Sequence, residues 1–423
     1  MRWVAMLAVL MTATPVRAQE ERVGELERKV DVLTEEIERL KLGAVADTTV
    51  SVPRAGFAPA ASKIYGVGRG VSIGGYGEAI LERFDHERQD GVASNRAPQL
   101  DFLRNVLYVG YKFDDRLLFN SEIEIEHAVV GDGAAGEVAL EFAYLDWAPR
   151  RDLGVRAGLL LVPVGLANEW HESPTLIGAR RPDVEQRIIP TTWRVNGAGL
   201  FGELPTGLAY RAYVTEGLDA RRFSAAGGIR GARQGGSEAR ALNPAFSGRL
   251  DWIGSPGLLL GVSAYTGDAW QETQPLTTEL VPRVTLADLH ARVDWQGLQA
   301  RAVLVRGRLD DAGDLSDVLG LTGSDRLGRS FWGYYAEVAY DVLPAAYPGT
   351  RYGVLPYLRF ERSDTQDDVP GGSEDPANDR TTLTTGLALK PHPNVILKMD
   401  HQQRRNEAKT EVSQWNAAVG YLF

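Results

Sequence analysis

The 423-residue chain contains no cysteine, so no disulfide bond can stabilise it. It has no run of eighteen apolar residues, and so the sequence predicts no transmembrane helix. The net charge of −10 argues against a nucleic-acid partner. Lysine is scarce, at 7 of the 46 Lys and Arg residues. The cations are mostly arginines, which match carboxylate and phosphate oxygens, although a GC-rich genome would give the same bias.

Signals for catalysis and for metal binding are weak. The six His are scattered without metal-ligand spacing, and no His-Glu-x-x-His is present. The glycines between Gly66 and Gly70 do not join a strand to a helix, so they predict no nucleotide loop. We therefore expect neither an enzyme nor a cofactor or metal.

Residues 1–18 have the features of a secretory signal peptide. Arg2 is basic, and Val4 to Met11 form a short apolar run. Ala18 is a small residue of the kind that precedes the cleavage site of a signal peptide. The chain is therefore predicted to be exported. Because it lacks disulfides, we expect a large closed sheet to supply its stability.

Residues 20–42 are predicted to form a periplasmic coiled coil. Apolar residues recur at alternating spacings of three and four, which is an a/d seam. β-Branched a positions with Leu at d favour a dimer. The segment from Arg22 to Glu27 resembles the pattern of short trimeric coils, and so we expect a homotrimer. A lone amphipathic helix is the alternative. The seam residues are Val23, Leu26, Val30, Leu33, Ile37 and Leu40.

A linker is predicted at 43–69, because this segment contains Pro53 and Pro59 and shows no sustained period. From residue 70 to 423 the chain alternates strands and turns. The predicted fold is therefore all-β, a 16-stranded antiparallel transmembrane β-barrel preceded by the short coiled-coil helix. The predicted strands are 70–84, 99–113, 116–128, 137–148, 152–162, 192–203, 207–217, 245–254, 257–267, 283–295, 298–309, 329–342, 350–362, 380–390, 394–405 and 411–423.

Several of these segments alternate polar and apolar residues, as a strand between lipid and a polar lumen does. The C-terminal one places Trp415, Ala417, Val419, Tyr421 and Phe423 on one face, which is typical of a strand that closes a barrel. Similar faces are predicted for Phe119, Ser121, Ile123 and Ile125, for Val138, Leu140, Phe142 and Tyr144, and for Ala287, Leu289, Ala291, Val293 and Trp295. The register of 298–309 stays open, because Val303 and Leu304 are both apolar.

The connections alternate between short and long. Two- or three-residue turns such as Asp114-Asp115 and Gln296-Gly297 are followed by long connections such as 163–191 and 218–244. Barrels of the bacterial outer membrane have this asymmetry, with short turns on the periplasmic side. A soluble β-sandwich or β-propeller does not require this alternation of short and long connections.

The stretch 140–204 carries several recognisable motifs. They are Ala143-Tyr144-Leu145-Asp146-Trp147, Val155-Arg156-Ala157-Gly158, Pro163-Val164-Gly165-Leu166, Asn168-Glu169, Arg181-Pro182 and Ile188-Ile189-Pro190-Thr191-Thr192-Trp193, followed by Gly197 and Gly199. They resemble those of the phosphate-selective porins O and P. The resemblance implies a sixteen-stranded, trimeric outer-membrane channel. It does not by itself make phosphate the solute.

The resemblance also implies that the connection 163–191 folds inward and narrows the pore. Arginines and acids on such a constriction would select solutes by charge and size. The alternative is an exterior loop packed on a neighbouring subunit. The candidate constriction residues are Glu169, His171, Arg180, Arg181 and Arg187.

A second candidate set consists of cations on the predicted lumen face of the strands. They could form an anion path of successive weak sites, or they could pair with lumen acids and brace the barrel. The sequence leaves both roles open. These candidates are Arg104, Arg156, Arg211, Arg249, Arg292, Arg359, Lys398 and Arg404.

The predicted function is passive diffusion of small hydrophilic solutes through an outer-membrane porin, with small anions such as phosphate or other small acids as the expected cargo. Two alternatives are a non-selective porin and an envelope tether. In the tether, the coiled coil would contact peptidoglycan while the barrel sits in outer-membrane lipid.

Overall fold

The structure, a computed structural model, describes residues 56–273 and 280–423, together with Glu25, Arg28, Lys29 and Val32. These last four residues are helical, and Lys29 forms an ion pair of 2.8 Å with Glu25 one turn earlier. No described helix is both long enough and apolar enough to cross a membrane. The predicted signal peptide, the seam residues and residues 43–55 lie outside the described residues, so those predictions remain predictions.

The described residues form sixteen strands in one closed antiparallel barrel, as the sequence predicted. Each strand pairs with its neighbours along the chain, and β1 pairs with β16. The strands are β1 Gly70–Phe84, β2 Gln99–Lys112, β3 Leu117–Glu126, β4 Val138–Arg150, β5 Leu153–Leu161, β6 Arg194–Glu203, β7 Leu208–Glu216, β8 Pro244–Ser255, β9 Leu258–Asp268, β10 Arg283–Trp295, β11 Leu298–Leu309, β12 Ser330–Tyr340, β13 Gly353–Asp367, β14 Asp379–His392, β15 Val395–Asn406 and β16 Gln414–Leu422.

Short helices occupy some connections and the segment before β1. The α-helices are α1 Val184–Arg187, α2 Ala312–Val318 and α3 Leu343–Ala346. The 3-10 helices are Lys63–Gly66, Ser173–Thr175, Ala220–Arg222, Arg230–Ala232 and Gly323–Asp325. Short turns alternate with longer connections around most of the barrel, in agreement with the predicted asymmetry. The exception is 341–352 between β12 and β13, where a short turn is expected and the connection instead contains α3.

The barrel closes where β16 meets β1. Gly75 and Phe423 exchange two backbone hydrogen bonds, of 3.0 and 2.9 Å. The aromatic rings of Phe423 and Tyr421 lie against Gly75 and Gly77, where a larger residue would collide with them. The predicted faces of this strand are confirmed, since Trp415 is 52% exposed. Closure leaves no unpaired sheet edge at this seam.

The wall of the barrel is apolar outside and charged inside. Phe246, Leu289 and Leu304 point outward and are each more than half exposed. Glu122 and Asp288, by contrast, are buried on the inner face. An apolar outer wall around a polar interior is the distribution that a barrel in lipid requires.

Strand β4 differs from the prediction. Its pairing with β3 shifts between Leu140 and Phe142, which is a β-bulge. Because one extra residue inverts the faces that follow it, Phe142 and Tyr144 point inward and Trp147 points outward. The prediction that Val138, Leu140, Phe142 and Tyr144 share one face was therefore wrong.

Burial also settles the faces of β10 and β11. In β10, Leu289 is exposed while Asp288 and His290 are buried, which confirms the prediction. In β11, whose register the sequence left open, Val303 is buried and Leu304 is exposed.

Residues 56–69 are here called the entry segment, and residues 56–65 of it pack inside the barrel against β1 to β5 and β7. Phe57, Ala60 and Ile64 are at most 2% exposed, and they join a cluster that includes Tyr76 and Phe142. The sequence predicted a linker over 43–69 and did not indicate this burial. Because its apolar residues match the aromatic inner wall exposed by the β4 bulge, the segment is buried instead.

We predict that Gly75→Ala destabilises the closed barrel by about 1–3 kcal/mol, the usual cost of overpacking. A Cβ at this position would collide with the Val106 carbonyl and lie 2.7 Å from the Phe423 ring. The measurement is the temperature at which the folded band disappears in heat-modifiability gels. Gly68→Ala is the control, since nothing lies within 4 Å of a Cβ there. Equal midpoints for the two variants would contradict the account of the seam.

Candidate functional site

The connection between β5 and β6, residues 162–193, is here called the inner loop. It lies inside the barrel, because inner-face side chains from distant strands contact it. Those side chains are Glu82 of β1, Glu122 of β3, Arg249 of β8, Asp288 of β10, Arg301 of β11, Arg359 and Glu361 of β13, and Lys398, Asp400 and Arg404 of β15. The loop therefore spans the lumen.

The first turn of the inner loop is fixed at Gly165. Its amide donates to Asp288 at 3.0 Å, and its carbonyl accepts from Arg249. Its φ of +72° favours glycine, and a Cβ would lie 2.7 Å from the Glu185 carboxylate. Glu185 itself accepts a hydrogen bond of 2.5 Å from the Tyr335 hydroxyl.

The middle of the inner loop is held through its backbone. Lys398 donates to the carbonyls of Ser173 and Gly178 at 2.7 and 3.0 Å. The amide of Ala179 donates to Asp400 at 2.8 Å. The buried backbone N–H and C=O groups of a loop without regular structure need hydrogen-bond partners outside the loop. Here charged side chains of the barrel wall are those partners.

Asp183 ties the second half of the inner loop to β15. Its carboxylate lies 2.9 Å from the Arg404 guanidinium. Burial opposes the charged form, but Arg404 and further arginines outweigh it and lower the pKa of Asp183 to about 2. The carboxyl is therefore ionised at neutral pH.

The inner loop also holds the entry segment. The Glu172 carboxylate accepts from the amides of Ala60 and Ala61 at 3.1 and 2.8 Å. The Trp170 indole donates to the Gly56 carbonyl at 2.9 Å. Burial raises the pKa of Glu172 to about 7. Both segments thus share one side of the lumen.

His171, a predicted constriction residue, is buried and lies 2.9 Å from the Glu122 carboxylate. Burial disfavours the charged imidazole, yet the adjacent Glu122 carboxylate outweighs this and raises the pKa of His171. Glu169 is buried as well and lies 3.0 and 3.7 Å from Arg211 and Arg249. Both residues act as braces between the loop and the wall.

Most of the predicted lumen cations are buried and already partnered. Arg156 donates two hydrogen bonds to Asp146, at 2.7 and 2.8 Å, and lies over the Tyr144 ring. The sequence left conducting and bracing roles open, and these contacts favour bracing. The set that is at most 8% exposed consists of Arg104, Arg156, Arg211, Arg249, Arg359, Lys398 and Arg404.

A cavity of about 570 Å³, here called the arginine cavity, lies between the inner loop and the wall formed by β1 to β4. Its acidic wall includes Glu78, Glu124 and Glu126, which share Arg104 at 2.9, 3.0 and 3.9 Å. Its opposite wall carries arginines of the inner loop and of the connection between β7 and β8. These are Arg180, Arg181, Arg222, Arg230 and Arg233.

Three of these arginines are held by backbone carbonyls. Arg230 donates to Gln186 and Thr191 at 2.7 and 2.8 Å, and Arg233 donates to Pro190 at 2.9 Å. Arg181 donates to the His171 carbonyl at 3.3 Å and also to the Thr192 side-chain hydroxyl at 3.4 Å. Within residues 56–273 and 280–423, none of the three has a carboxylate at ion-pair distance. Burial, followed by the neighbouring arginines, lowers the pKa of Arg230 to about 10, so it stays charged at neutral pH.

The remaining predicted residues are partly exposed. Arg180 forms an ion pair of 2.5 Å with Glu82. Arg292 lies 2.6 Å from Asp294 and 3.8 Å above the Trp170 ring. The Nε atom of Arg187 is buried and has no hydrogen-bond partner in the described part of the chain.

Sequence reasoning did not select Arg230 and Arg233. They lie in the connection 217–243, and no periodic pattern marks a segment without strands or long helices. Nothing in the local sequence indicates that this connection returns to the inner loop. The high density of arginine and glycine in this connection was the one sequence feature that could have marked it as a candidate site.

A second, narrow cavity lies on the other side of the inner loop, towards β8 to β13. Its volume is about 20 Å³, and Leu176 lines both this cavity and the arginine cavity. Its other walls include Trp170, Leu259, Arg292 and Arg301. The inner loop thus borders two internal spaces, and Leu176 contributes to the lining of both.

Neither a metal site nor a nucleophile elbow is visible in the described residues. No group of three or more His, Asp or Glu there is arranged to hold a metal ion. The letters Gly-x-Ser-x-Gly occur at Gly70–Gly74, but Ser72 lies within β1. A nucleophile elbow requires a turn between a strand and a helix instead.

We predict that the entry segment becomes less firmly held as pH rises, because burial disfavours the ionised form of Glu172. Its pKa in the folded protein is raised, so its stabilising contribution is complete below the ordinary value of 4.5 and is lost towards about pH 7. Amide hydrogen exchange of residues 56–66, corrected for intrinsic rates, should show this loss of protection. Glu172→Gln should remove the pH dependence, whereas the exposed Glu238→Gln should retain it. Protection that stays constant in the unaltered protein would refute the prediction.

Comparisons with known proteins agree with this architecture. An uncharacterized protein of Aquifex aeolicus (strain VF5) is 36% identical over 380 residues, which cover 88% of this chain and 84% of that protein. No family model matches the chain, so the resemblance to the phosphate-selective porins O and P stays a prediction.

Two solved structures are similar over most of the barrel. OmpF of Salmonella typhi, in a complex with daunomycin, has a TM-score of 0.52 at 13% identity, over 84% of this chain and 98% of that one. An anion-selective porin from Comamonas acidovorans has a TM-score of 0.49 at 12% identity, over 84% and 99%. The likeness to OmpF shows the fold alone. The chain has the sixteen-stranded porin fold and belongs to the same family as the Aquifex aeolicus protein.

Proposed function

We propose that the protein is a porin of the bacterial outer membrane, through which small hydrophilic solutes diffuse passively. The support is the closed barrel with its apolar outer wall, its charged interior and an inner loop that spans the lumen. A loop across the lumen narrows the path and brings charged groups close to any solute. The short turns would then face the periplasm and the long connections the exterior.

Anions are the proposed preferred solutes. The observation that carries this proposal is the arginine wall, in which Arg181, Arg230 and Arg233 bind carbonyl oxygens rather than carboxylates. A guanidinium on a carbonyl keeps its full charge, so it attracts a passing anion. Phosphate is one candidate, which the family resemblance suggests, and small organic acids are others.

The acids of the arginine cavity are paired with arginines of the barrel wall. Glu78, Glu124 and Glu126 share Arg104 of β2. Glu137 and Glu141 share Arg194 of β6. In the narrow cavity beyond Leu176, Glu185 is bound by Tyr335 and Glu337 by Arg359. Arg301 also lines that cavity, and it binds the Thr175 carbonyl rather than a carboxylate.

We predict that the double variant Arg230→Gln, Arg233→Gln lowers the anion-to-cation permeability ratio about fivefold, the effect of ~1 kcal/mol of lost attraction. The measurement is the reversal potential of single channels in a salt gradient across a planar bilayer. Arg240→Gln is the matched control, because Arg240 lies in the same connection, is 48% exposed, and pairs with Glu272 outside the arginine cavity.

An unchanged ratio in the double variant would contradict the role of the arginine wall. A cation-selective or non-selective unaltered channel would contradict the anion preference. Pure protein that gives no conductance steps would contradict the porin function itself.

We also propose a homotrimer whose N-terminal coil lies in the periplasm. The support is the heptad seam, which contains Val30 and Ile37. No contact among the described residues bears on the alternative role as a peptidoglycan tether, so that role remains a hypothesis.

We expect the double variant Val30→Asp, Ile37→Asp to weaken the trimer, since buried carboxylates in a coiled-coil seam are costly. The measurement is the mass of the detergent-solubilised complex on native gels. Val32→Asp serves as the control, because Val32 is helical and 64% exposed, outside the seam. If the seam variant kept the mass of the unaltered protein, the coil would not be what holds the subunits together.

A further inference from the structure

The arginine cavity carries uncompensated charges of both signs. Its five glutamates share two arginines among the described residues, Arg104 and Arg194, which leaves three formal negative charges. Three arginines of the other wall bind carbonyl oxygens and have no described carboxylate at ion-pair distance, which leaves three positive charges. The glutamates are Glu78, Glu124, Glu126, Glu137 and Glu141, and the arginines are Arg181, Arg230 and Arg233. The two remaining arginines of the cavity, Arg180 and Arg222, pair with acids outside it.

Two of the glutamates, Glu126 and Glu137, are accessible to a solute. Glu126 ends β3 and Glu137 precedes β4, and the Glu126 amide donates to the Glu137 carbonyl at 2.9 Å. Their side chains are 35% and 65% exposed. Glu126 is the most distant of the three acids around Arg104, at 3.9 Å, and Glu137 lies 3.4 Å from Arg194. Two loosely paired carboxylates thus lie next to each other on the cavity wall.

The Glu141 carboxylate lines the same cavity. Glu141 is 3% exposed, and its Oε2 atom has no hydrogen-bond partner among residues 56–273 and 280–423. A buried carboxylate oxygen without a donor is costly, so a donor on a solute would stabilise it. An ammonium group offers three N–H donors and a positive charge, and it therefore suits this wall of the cavity.

The opposite wall suits carboxylates. Arg230 and Arg233 are held by carbonyls of the inner loop, and Arg181 is held by the His171 carbonyl, so the three guanidinium groups are fixed in place. A guanidinium binds a carboxylate through charge-assisted hydrogen bonds. Because three such groups line one cavity, a solute with two carboxylates has more favourable contacts there than a solute with one.

The size of the arginine cavity is compatible with such a solute. Its volume of about 570 Å³ lies within the range of ordinary small-molecule sites, roughly 300–1,000 Å³. A small dicarboxylate with an ammonium group therefore fits together with some of its water.

We propose that the arginine cavity binds acidic amino acids, such as glutamate and aspartate, in preference to dicarboxylates that lack an ammonium group. The carboxylates of the solute lie on Arg181, Arg230 and Arg233, and its ammonium group lies on Glu126 and Glu137. Such a solute is a net anion, as the proposed anion preference requires. The inference rests on the proposed porin function and adds to it the class of solute.

The test compares L-glutamate with glutarate, which has the same carbon chain and both carboxylates but no ammonium group. Each is added to single channels that carry a chloride current in a planar bilayer, and the concentration that halves the current is measured. For the unaltered channel this concentration should be about tenfold lower for glutamate, the effect of one charge-assisted hydrogen bond. The double variant Glu126→Gln, Glu137→Gln should remove this difference, and glutarate should still block it. Because a variant that conducts chloride is folded, a loss of the difference reports on binding.

Glu203→Gln is the matched control. Glu203 is also a partly exposed carboxylate paired with one arginine, Arg151, but it ends β6 and lies outside the arginine cavity. This variant should keep the preference for glutamate. The double variant Arg230→Gln, Arg233→Gln should instead weaken the block by both solutes, because both carry carboxylates.

Three results would overturn the proposed solute class while leaving the porin function intact. The first is a chloride-conducting channel that glutarate blocks as well as glutamate, or that neither solute blocks. The second is a preference for glutamate that survives in the Glu126→Gln, Glu137→Gln variant or disappears in Glu203→Gln. The third is an Arg230→Gln, Arg233→Gln variant that both solutes block as before. A protein that conducts no chloride would overturn the porin function together with the inference.

Discussion

The pairing of charges inside the barrel is the constraint on which the rest of the structure depends. A charge removed from water is costly unless an opposite charge or several hydrogen-bonding groups compensate it. Arg156 with Asp146, and Arg359 with Glu337 and Glu361, meet this requirement within the wall. Lys398 meets it with carbonyls of the inner loop. Arg359 also donates to the carbonyl of Arg180, so charged side chains of the wall hold the inner loop across the lumen.

This constraint separates arginines that support the structure from arginines that are available to a solute. An arginine that shares its charge with a carboxylate adds little to the field in the lumen, whereas one held by carbonyl oxygens adds its whole charge. Arg230 and Arg301 belong to the second kind, and they line the arginine cavity and the narrow cavity respectively. Rigidity and selectivity thus come from the same residue type, and the partner of each arginine decides its role.

The sequence predicted the barrel well, because strand alternation and the rhythm of short and long connections are local signals. It failed at β4, where a one-residue bulge after Leu140 inverts the faces, since a bulge has no reliable local pattern. It also missed the burial of the entry segment, because the aromatic surface that receives Phe57 exists only once β4 has been inverted. The sequence also could not predict which arginines pair with carboxylates and which bind only carbonyl oxygens. That difference depends on contacts between distant segments of the chain, such as the contact of Arg230 with Gln186.

The most direct test of the account is to locate a heavy halide inside the channel. Crystals of the purified protein soaked in bromide would reveal bound anions by their anomalous scattering. The account predicts bromide beside Arg181, Arg230 and Arg233, and none beside Arg104 or Arg359, whose charges are neutralised by carboxylates. Bromide bound at the paired arginines, or an arginine wall without bromide, would contradict the central claim.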